Sequence, residues 1–411
     1  MDTLAILVGG GPAPGINGVI ASAAMEAFKC GLRAVGIYDG YRDLAAGRTP
    51  QTIELTFDHV SRIHTSGGSI LRTSRTNPAR DDRTLENCVD SLTALGARYL
   101  VCIGGDDTTY GAAKIAERTR GRIGIATVPK TIDNDLPLPE NAPTFGFETA
   151  RSVGAEILES LMEDARTTAR WYVVVCMGRK CGALALGMCK AAGSTLAVLP
   201  EEFPPKATLS AVADTIVGAI VKRRSVGRRH GVAVVAEGIA ERIWDDAFSS
   251  AGDFGRDSFG NVRLADIPLG VILRDAVRRR VDEIGVDSTV HAKDIGYELR
   301  CAKPVPFDVD YTRTLGFGAV RYLVAGGSGA LIALAGGNVH PLSLDDLLDP
   351  LTGRIRTRQV DLTTEAYRVA RDYMVRLEPP DFADEPRLAL LASQTNLRPA
   401  EFRAIFERVA L

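Results

Sequence analysis

This chain has few of the features that assign a sequence to a specialised class. Its seven cysteines (Cys30, Cys88, Cys102, Cys176, Cys181, Cys189 and Cys301) fall mostly inside apolar runs, and no two stand at C-x-x-C or zinc-finger spacing. Buried thiols in a reducing compartment follow from that, not a disulfide framework or a zinc centre. The five histidines show no ligand pattern. A formal net charge of -2 gives no basis for nucleic acid or a membrane surface as partner. No apolar run approaches the ~20 residues of a membrane span. There is no low-complexity tract and no coiled-coil pattern. The apolar start Leu4–Val8 lacks a basic leader and runs into glycines. It is expected to be a first strand and not a signal peptide, with the cytoplasm as the expected compartment.

What is present is an ordinary globular composition over 411 residues, 45% hydrophobic and 24% charged. That length exceeds one average domain, so two lobes are expected. Short β-branched runs at 4–8, 32–38, 99–103, 123–128, 172–176, 195–199 and 231–236 alternate with helical patterns. The helical patterns fall at 17–29, 111–119, 147–166, 182–191, 207–223, 268–283, 362–376 and 400–410. The alternation predicts an α/β fold. Runs such as Val173–Cys176 show no inside-outside alternation, as expected of strands buried on both faces of a largely parallel sheet. Residues 244–266 read as a long polar loop.

The polar chemistry collects where such strands would end. Gly104-Gly105-Asp106-Asp107 separates a buried-looking strand from a helical pattern, which places backbone N–H groups and a metal-grade carboxylate where a polyphosphate would sit. Pro129-Lys130-Thr131-Ile132-Asp133-Asn134-Asp135 ends the next strand with a lysine and three acidic or amide side chains. Gly9, Gly10 and Gly11 follow the first strand, where backbone can approach a phosphate closely, yet the G-x-G-x-x-G spacing of a dinucleotide loop is missing. Donors for phosphates, a carboxylate for a metal, a cation and a base are the parts of a phosphoryl-transfer site.

In this order, these motifs resemble the phosphofructokinase family, and within it the pyrophosphate-dependent branch. The resemblance runs from Gly9–Asn17 through Gly67–Arg75, the GGDD and PKTIDND segments, Gly146–Ala150, Met177–Gly182, Ala236–Gly238 and Gly296–Arg300, roughly residues 4–335. It implies two lobes, each a largely parallel sheet flanked by helices, with the active site in the cleft between them. The lobes would comprise 1–140 with 241–305, holding the phosphoryl donor, and 141–240 with 306–411, holding the sugar phosphate and a C-terminal helical extension.

The resemblance also implies roles. Asp106 would hold Mg2+, and Asp133 would be the base for the 1-hydroxyl of fructose 6-phosphate. Thr131 would hold the acceptor and Asp135 would orient the neighbourhood or the metal. Gly10, Gly11, Gly105 and Arg75 would contact the donor, with Arg72 a near alternative to Arg75. Met177, Gly178, Arg179 and Glu237 would meet the sugar phosphate, and Tyr297 and Arg300 its 6-phosphate. Arg170 would cross into a neighbouring subunit's site, implying a homodimer or homotetramer. A second crossing cation would be His291 or Lys293, with Lys293 preferred.

The donor is expected to be pyrophosphate. ATP-using relatives have glycine where this chain has Asp107 and Lys130. Two unit charges about 4 Å apart interact by ~4 kcal/mol at an effective dielectric near 20. A carboxylate facing an α-phosphate is therefore a strong discriminator, and the lysine offsets the charge of pyrophosphate. The competing readings are an ATP-dependent phosphofructokinase and a non-catalytic regulatory subunit.

Overall fold

A computed structural model describes residues 1–243, 248 and 264–410, so most of the expected loop at 244–266 lies outside the described residues. Eleven strands are assigned among the described residues: β1 (Thr3–Val8), β2 (Arg33–Ile37), β3 (Thr52–Glu54), β4 (Ala97–Gly104), β5 (Gly124–Pro129), β6 (Trp171–Cys176), β7 (Leu196–Val198), β8 (Gly231–Ala236), β9 (Val290–Ile295), β10 (Ala330–Ala335) and β11 (Asn338–Ser343). They form a seven-stranded sheet in the order β11-β10-β5-β4-β1-β2-β3 and a four-stranded sheet in the order β7-β8-β6-β9. The small sheet is wholly parallel. The large one is parallel through its centre, with antiparallel partners at both edges.

Burial explains the division. Strands β1, β5 and β8 are buried along their whole length, as expected where helices cover both faces. The edge strand β11 is largely exposed and tolerates Pro341 because an edge residue need not donate to the ladder. Each strand expected from the sequence is found within about two residues. The expected helix at 111–119 begins earlier, at Asp106, and that at 362–376 shrinks to Glu365–Asp372.

The chain falls into two compact units. One contains Met1–Ala150 and Tyr297–Arg358; the other contains residues 151–243, 264–296 and 359–410. The expected lobe limits are therefore corrected. Residues 264–296 leave the donor lobe because β9 pairs in parallel with β6 along its full length. Residues 306–358 join the first unit because β10 pairs with β5 and the helix Pro306–Val324 packs on the helix Ile16–Lys29. That helix was not expected, since Gly316 and Gly318 lower its propensity. Its glycines serve packing instead. A Cβ on Gly316 would lie 2.0 Å from Ser22 Oγ, and one on Gly18 would lie 2.2 Å from Thr312 Oγ1, so the two helices meet nearly backbone to backbone.

Asp308 ties the start of the helix Pro306–Val324 to residues 146–149. It is fully buried, and its carboxylate accepts from the N–H of Gly146 (2.8 Å), the N–H of Thr149 (2.8 Å) and the Thr149 hydroxyl (2.5 Å). Asp308→Ala leaves those donors unpaired in the interior and is expected to cost roughly 3 kcal/mol. Urea unfolding measures it; a loss below about 1 kcal/mol would show that the donors find other partners.

Candidate active site

In the first unit the ends of three adjacent strands supply the polar groups, as open parallel sheets require. Gly9–Gly11 leave β1, Gly105 and Asp106 leave β4, and Lys130–Asp135 leave β5. The three ends are stitched together: Gly9 N–H donates to Ile103 O (2.9 Å) and Lys130 N–H to Gly104 O (2.9 Å). Gly10, with φ of 81°, donates to Ser74 O at 2.9 Å. Its own N–H is thus taken, and its contribution is small size, because a Cβ there would sit 3.1 Å from Lys130 Nζ. The helix Asp106–Thr119 starts directly at the two aspartates, behind Gly105, so its first-turn N–H groups face the strand ends.

Lys130 is buried, and its ammonium donates to Gly11 O. Burial pushes its pKa down to about 8, helped by the positive charges of Arg300 and Arg75 and opposed by Asp133 and Asp106. These groups therefore share one electrostatic neighbourhood. Gly11 confirms it in space: a Cβ there would lie 3.4 Å from the Arg300 guanidinium carbon and 3.6 Å from Arg75 Nη2. Arg300, expected at the sugar 6-phosphate, thus stands beside the donor residues. It also covers the ring of the exposed Tyr297, 5.3 Å from its centroid. Arg72 is directed elsewhere, over the Tyr38 ring and toward Asp39.

The loop after β5 is fixed internally. Asp133 and Asp135 are both buried. Asp133 N–H donates to Thr131 Oγ1 at 3.0 Å, and Thr144 Oγ1 donates to Thr131 O at 2.7 Å. Asn134 between the aspartates has φ of 57°. Two supports were missed in the sequence. Asn17 accepts from Ile70 N–H (2.9 Å) and donates to Ser66 O and Gly67 O (3.2 Å each), pinning the segment that leads to Arg75. Arg358 holds the Asn134 loop. Asn17 closes the first glycine motif and could have been singled out; nothing local marks Arg358.

In the second unit Met177–Arg179 follow β6, Glu237 follows β8 and Gly296 follows β9, again three neighbouring strand ends. Glu237 is buried and its Oε1 accepts from both Gly178 N–H (3.1 Å) and Arg179 N–H (2.7 Å), fixing Arg179 at φ of 51°. Glu201, also missed, accepts from Gly182 N–H (2.9 Å) and Val360 N–H (3.0 Å), closing the far end of the same loop. Arg170 precedes β6, at the opposite end of that strand from Met177, roughly 20 Å away at ~3.3 Å per residue. Its side chain bonds to Tyr172. Lys293 lies in the middle of edge strand β9, opposite Val174, exposed, with Nζ on Asp294 O at 2.9 Å. His291 packs beside the Tyr172 ring at 5.8 Å. Arg170 therefore stands at the far end of β6 from the Met177–Arg179 loop of its own chain.

Comparison with known proteins agrees with this geometry. The phosphofructokinase family model, described as Phosphofructokinase, matches residues 3–323. A Thermotoga maritima protein named pyrophosphate–fructose 6-phosphate 1-phosphotransferase is 52% identical, covering 98% of this chain and 97% of its own. A Naegleria fowleri protein of the same name is 46% identical, covering 98% and 94%. Among solved structures, a pyrophosphate-dependent phosphofructokinase from Nitrosospira multiformis has the same fold, with a TM-score of 0.68 at 17% identity over 90% of each chain. The motifs, the strand-end architecture and this near full-length similarity agree: the chain belongs to the phosphofructokinase family.

Proposed function

We propose that this chain catalyses the reversible transfer of a phosphoryl group from pyrophosphate to the 1-hydroxyl of fructose 6-phosphate, giving fructose 1,6-bisphosphate and phosphate. The observation that carries the reading is Lys130. A buried ammonium beside Gly10, with Arg75 and Arg300 nearby, is a preformed site for a small, highly charged anion. The relatives at 52% and 46% identity carry the name of that reaction.

Asp133 is assigned as base: it takes the proton from the 1-hydroxyl as that oxygen attacks phosphorus and the bond to the departing phosphate breaks. Its buried position at a strand end supports this. Thr131 Oγ1 accepts from Asp133 N–H, which leaves the Thr131 hydroxyl proton to donate to the acceptor. Asp135 orients this loop. Lys130, Arg75 and the backbone at Gly11 and Gly105 meet the donor, Gly10 leaves room for it beside Lys130, and Asp107 repels an α-phosphate.

The residues fit Mg2+ in the manner of phosphoryl-transfer sites. Asp106 is a hard oxygen donor at the first position of the helix that follows β4, near enough to Lys130 to act on its charge. Such an ion takes its remaining ligands from water and phosphate oxygens. When bound it supplies charge neutralisation for the pyrophosphate oxygens.

Met177, Gly178, Arg179 and Glu237 are assigned to the sugar phosphate, supported by the way Glu237 fixes the backbone of the arginine. Tyr297 and Arg300 are assigned to the 6-phosphate, with Arg300 adding to the field at the donor. Arg170 and Lys293 act on a neighbouring copy's site in a homodimer or homotetramer, supported by the distance of Arg170 from its own chain's loop along β6. A cytoplasmic setting fits seven cysteines of which none forms a disulfide.

A coupled assay with each donor tests the reading: turnover with pyrophosphate and little with ATP is expected, and Asp107→Gly is expected to raise ATP use. Equal turnover with ATP in the native enzyme would overturn it. Asp133→Asn is expected to lower kcat by about 10²–10⁴-fold with fructose 6-phosphate affinity nearly unchanged; lost affinity with retained kcat would reassign Asp133 to positioning.

Lys130 sets a pH dependence. Its ammonium is the active form and its pKa in the unliganded site is about 8, so kcat/KM for pyrophosphate is expected to fall as pH rises through that value. The bound anion favours the ammonium, so the limb in kcat lies at higher pH. Lys130→Arg removes the limb, because guanidinium stays charged. A kcat/KM profile flat through pH 8 in the native enzyme would refute the assignment.

A further inference from the structure

Arg358 lies 35 residues beyond the last residue that the family model matches, 323, in a segment whose sequence offers no recognisable chemistry. Five of its hydrogen bonds fall on one loop. Its backbone N–H donates to Asp135 O at 2.6 Å. Its Nε donates to Asn134 O at 3.1 Å, and its Nη2 donates to Asn134 Oδ1. Nη1 and Nη2 each donate to Ala142 O at 3.2 Å. One rigid fork therefore joins both ends of the loop that leaves β5. A lysine could not hold this pattern, because a single ammonium cannot face three acceptors in one plane.

The residue held is the one whose conformation matters. Asn134 has φ of 57°, a left-handed conformation that side-chain-bearing residues adopt at a cost. Its Oδ1 also accepts from Thr144 N–H at 3.1 Å, so the amide is gripped from two sides. The backbone angles at Asn134 set the direction of Asp133 and Asp135 relative to one another.

We propose that Arg358 is a positioning residue for the base: it holds Asn134 in its left-handed turn and thereby aims Asp133 at the acceptor hydroxyl. The inference rests on the assignment of Asp133 made above. It gives the C-terminal segment a part in the chemistry although it contributes no group to the reacting atoms.

Three variants of the full chain, Arg358→Ala, Arg358→Lys and Asn134→Ala, test it with two readouts. In steady-state assays with pyrophosphate, Arg358→Ala is expected to lower kcat about 10–100-fold, in line with the cost of a misplaced catalytic group, with KM for both substrates within about threefold. Added guanidinium ion should restore part of the rate, and the double variant with Asn134→Ala should be no slower than the worse single variant. Unchanged kcat, a loss confined to KM, or fully additive losses would overturn the proposal. Amide hydrogen exchange supplies the second readout, independent of activity: residues 131–144 should exchange faster in Arg358→Ala while β4 and β5 stay protected. Unchanged exchange in that loop would also overturn it. If Arg358→Ala fails to fold, Arg358→Lys is read in the same two ways, with the same outcomes deciding. A native enzyme without pyrophosphate-dependent turnover would sink the functional reading instead, and the exchange experiment would still decide whether Arg358 holds the loop.

Discussion

A strand buried on both faces of a parallel sheet can display polar chemistry only where it stops. That constraint organises this protein. In the larger sheet, β1, β4 and β5 are apolar along nearly their whole length, and each turns polar at its C-terminal end, with glycines, two aspartates, or the lysine and aspartates of the 129–135 segment. Their adjacency in the sheet brings together residues more than a hundred apart in sequence, such as Gly11 and Lys130. The smaller sheet repeats the arrangement with the arginine loop after β6 and the glutamate after β8.

Buried charge is the second theme, and it is handled differently at each place. Lys130 is desolvated and surrounded by charges of both signs, which leaves its ammonium poised and not neutralised. Such an environment suits a group whose task is to meet an anion, because the arriving ligand supplies the missing counter-charge. Asp308 is held by backbone and hydroxyl donors and fixes a helix start, while one oxygen of Glu237 accepts from the backbone of the Gly178–Arg179 loop. Arg376 and Glu202, both buried, pair with each other at 2.8 Å, and Arg376 ties the C-terminal segment to β7 through Ala197 O. Removing one member of such a pair strands the other in the interior.

Asn17, Glu201 and Arg358 belong to one physical type. None is assigned a contact with substrate, yet each binds the backbone of a segment that carries a side chain that is. Loops with left-handed residues, such as those at Asn134 and Arg179, are held in place by such outside contacts. The precision of the site therefore depends on residues distributed far along the chain, including the segment after residue 323.

The sequence by itself determined the α/β class, the central strands, and the residues gathered at the strand ends, because apolar runs, glycines and clustered acids are local signals. It could not assign 264–296 and 306–358 to their units, since pairing of β9 with β6 and of β10 with β5 is decided by neighbours that no local pattern names. The helix Pro306–Val324 was hidden for a related reason: its glycines lower intrinsic propensity, and their value appears only when another helix arrives to pack against them. Arg358 was illegible because a guanidinium on a polar stretch looks like a solvated side chain until the fold brings three carbonyl and amide oxygens within its reach.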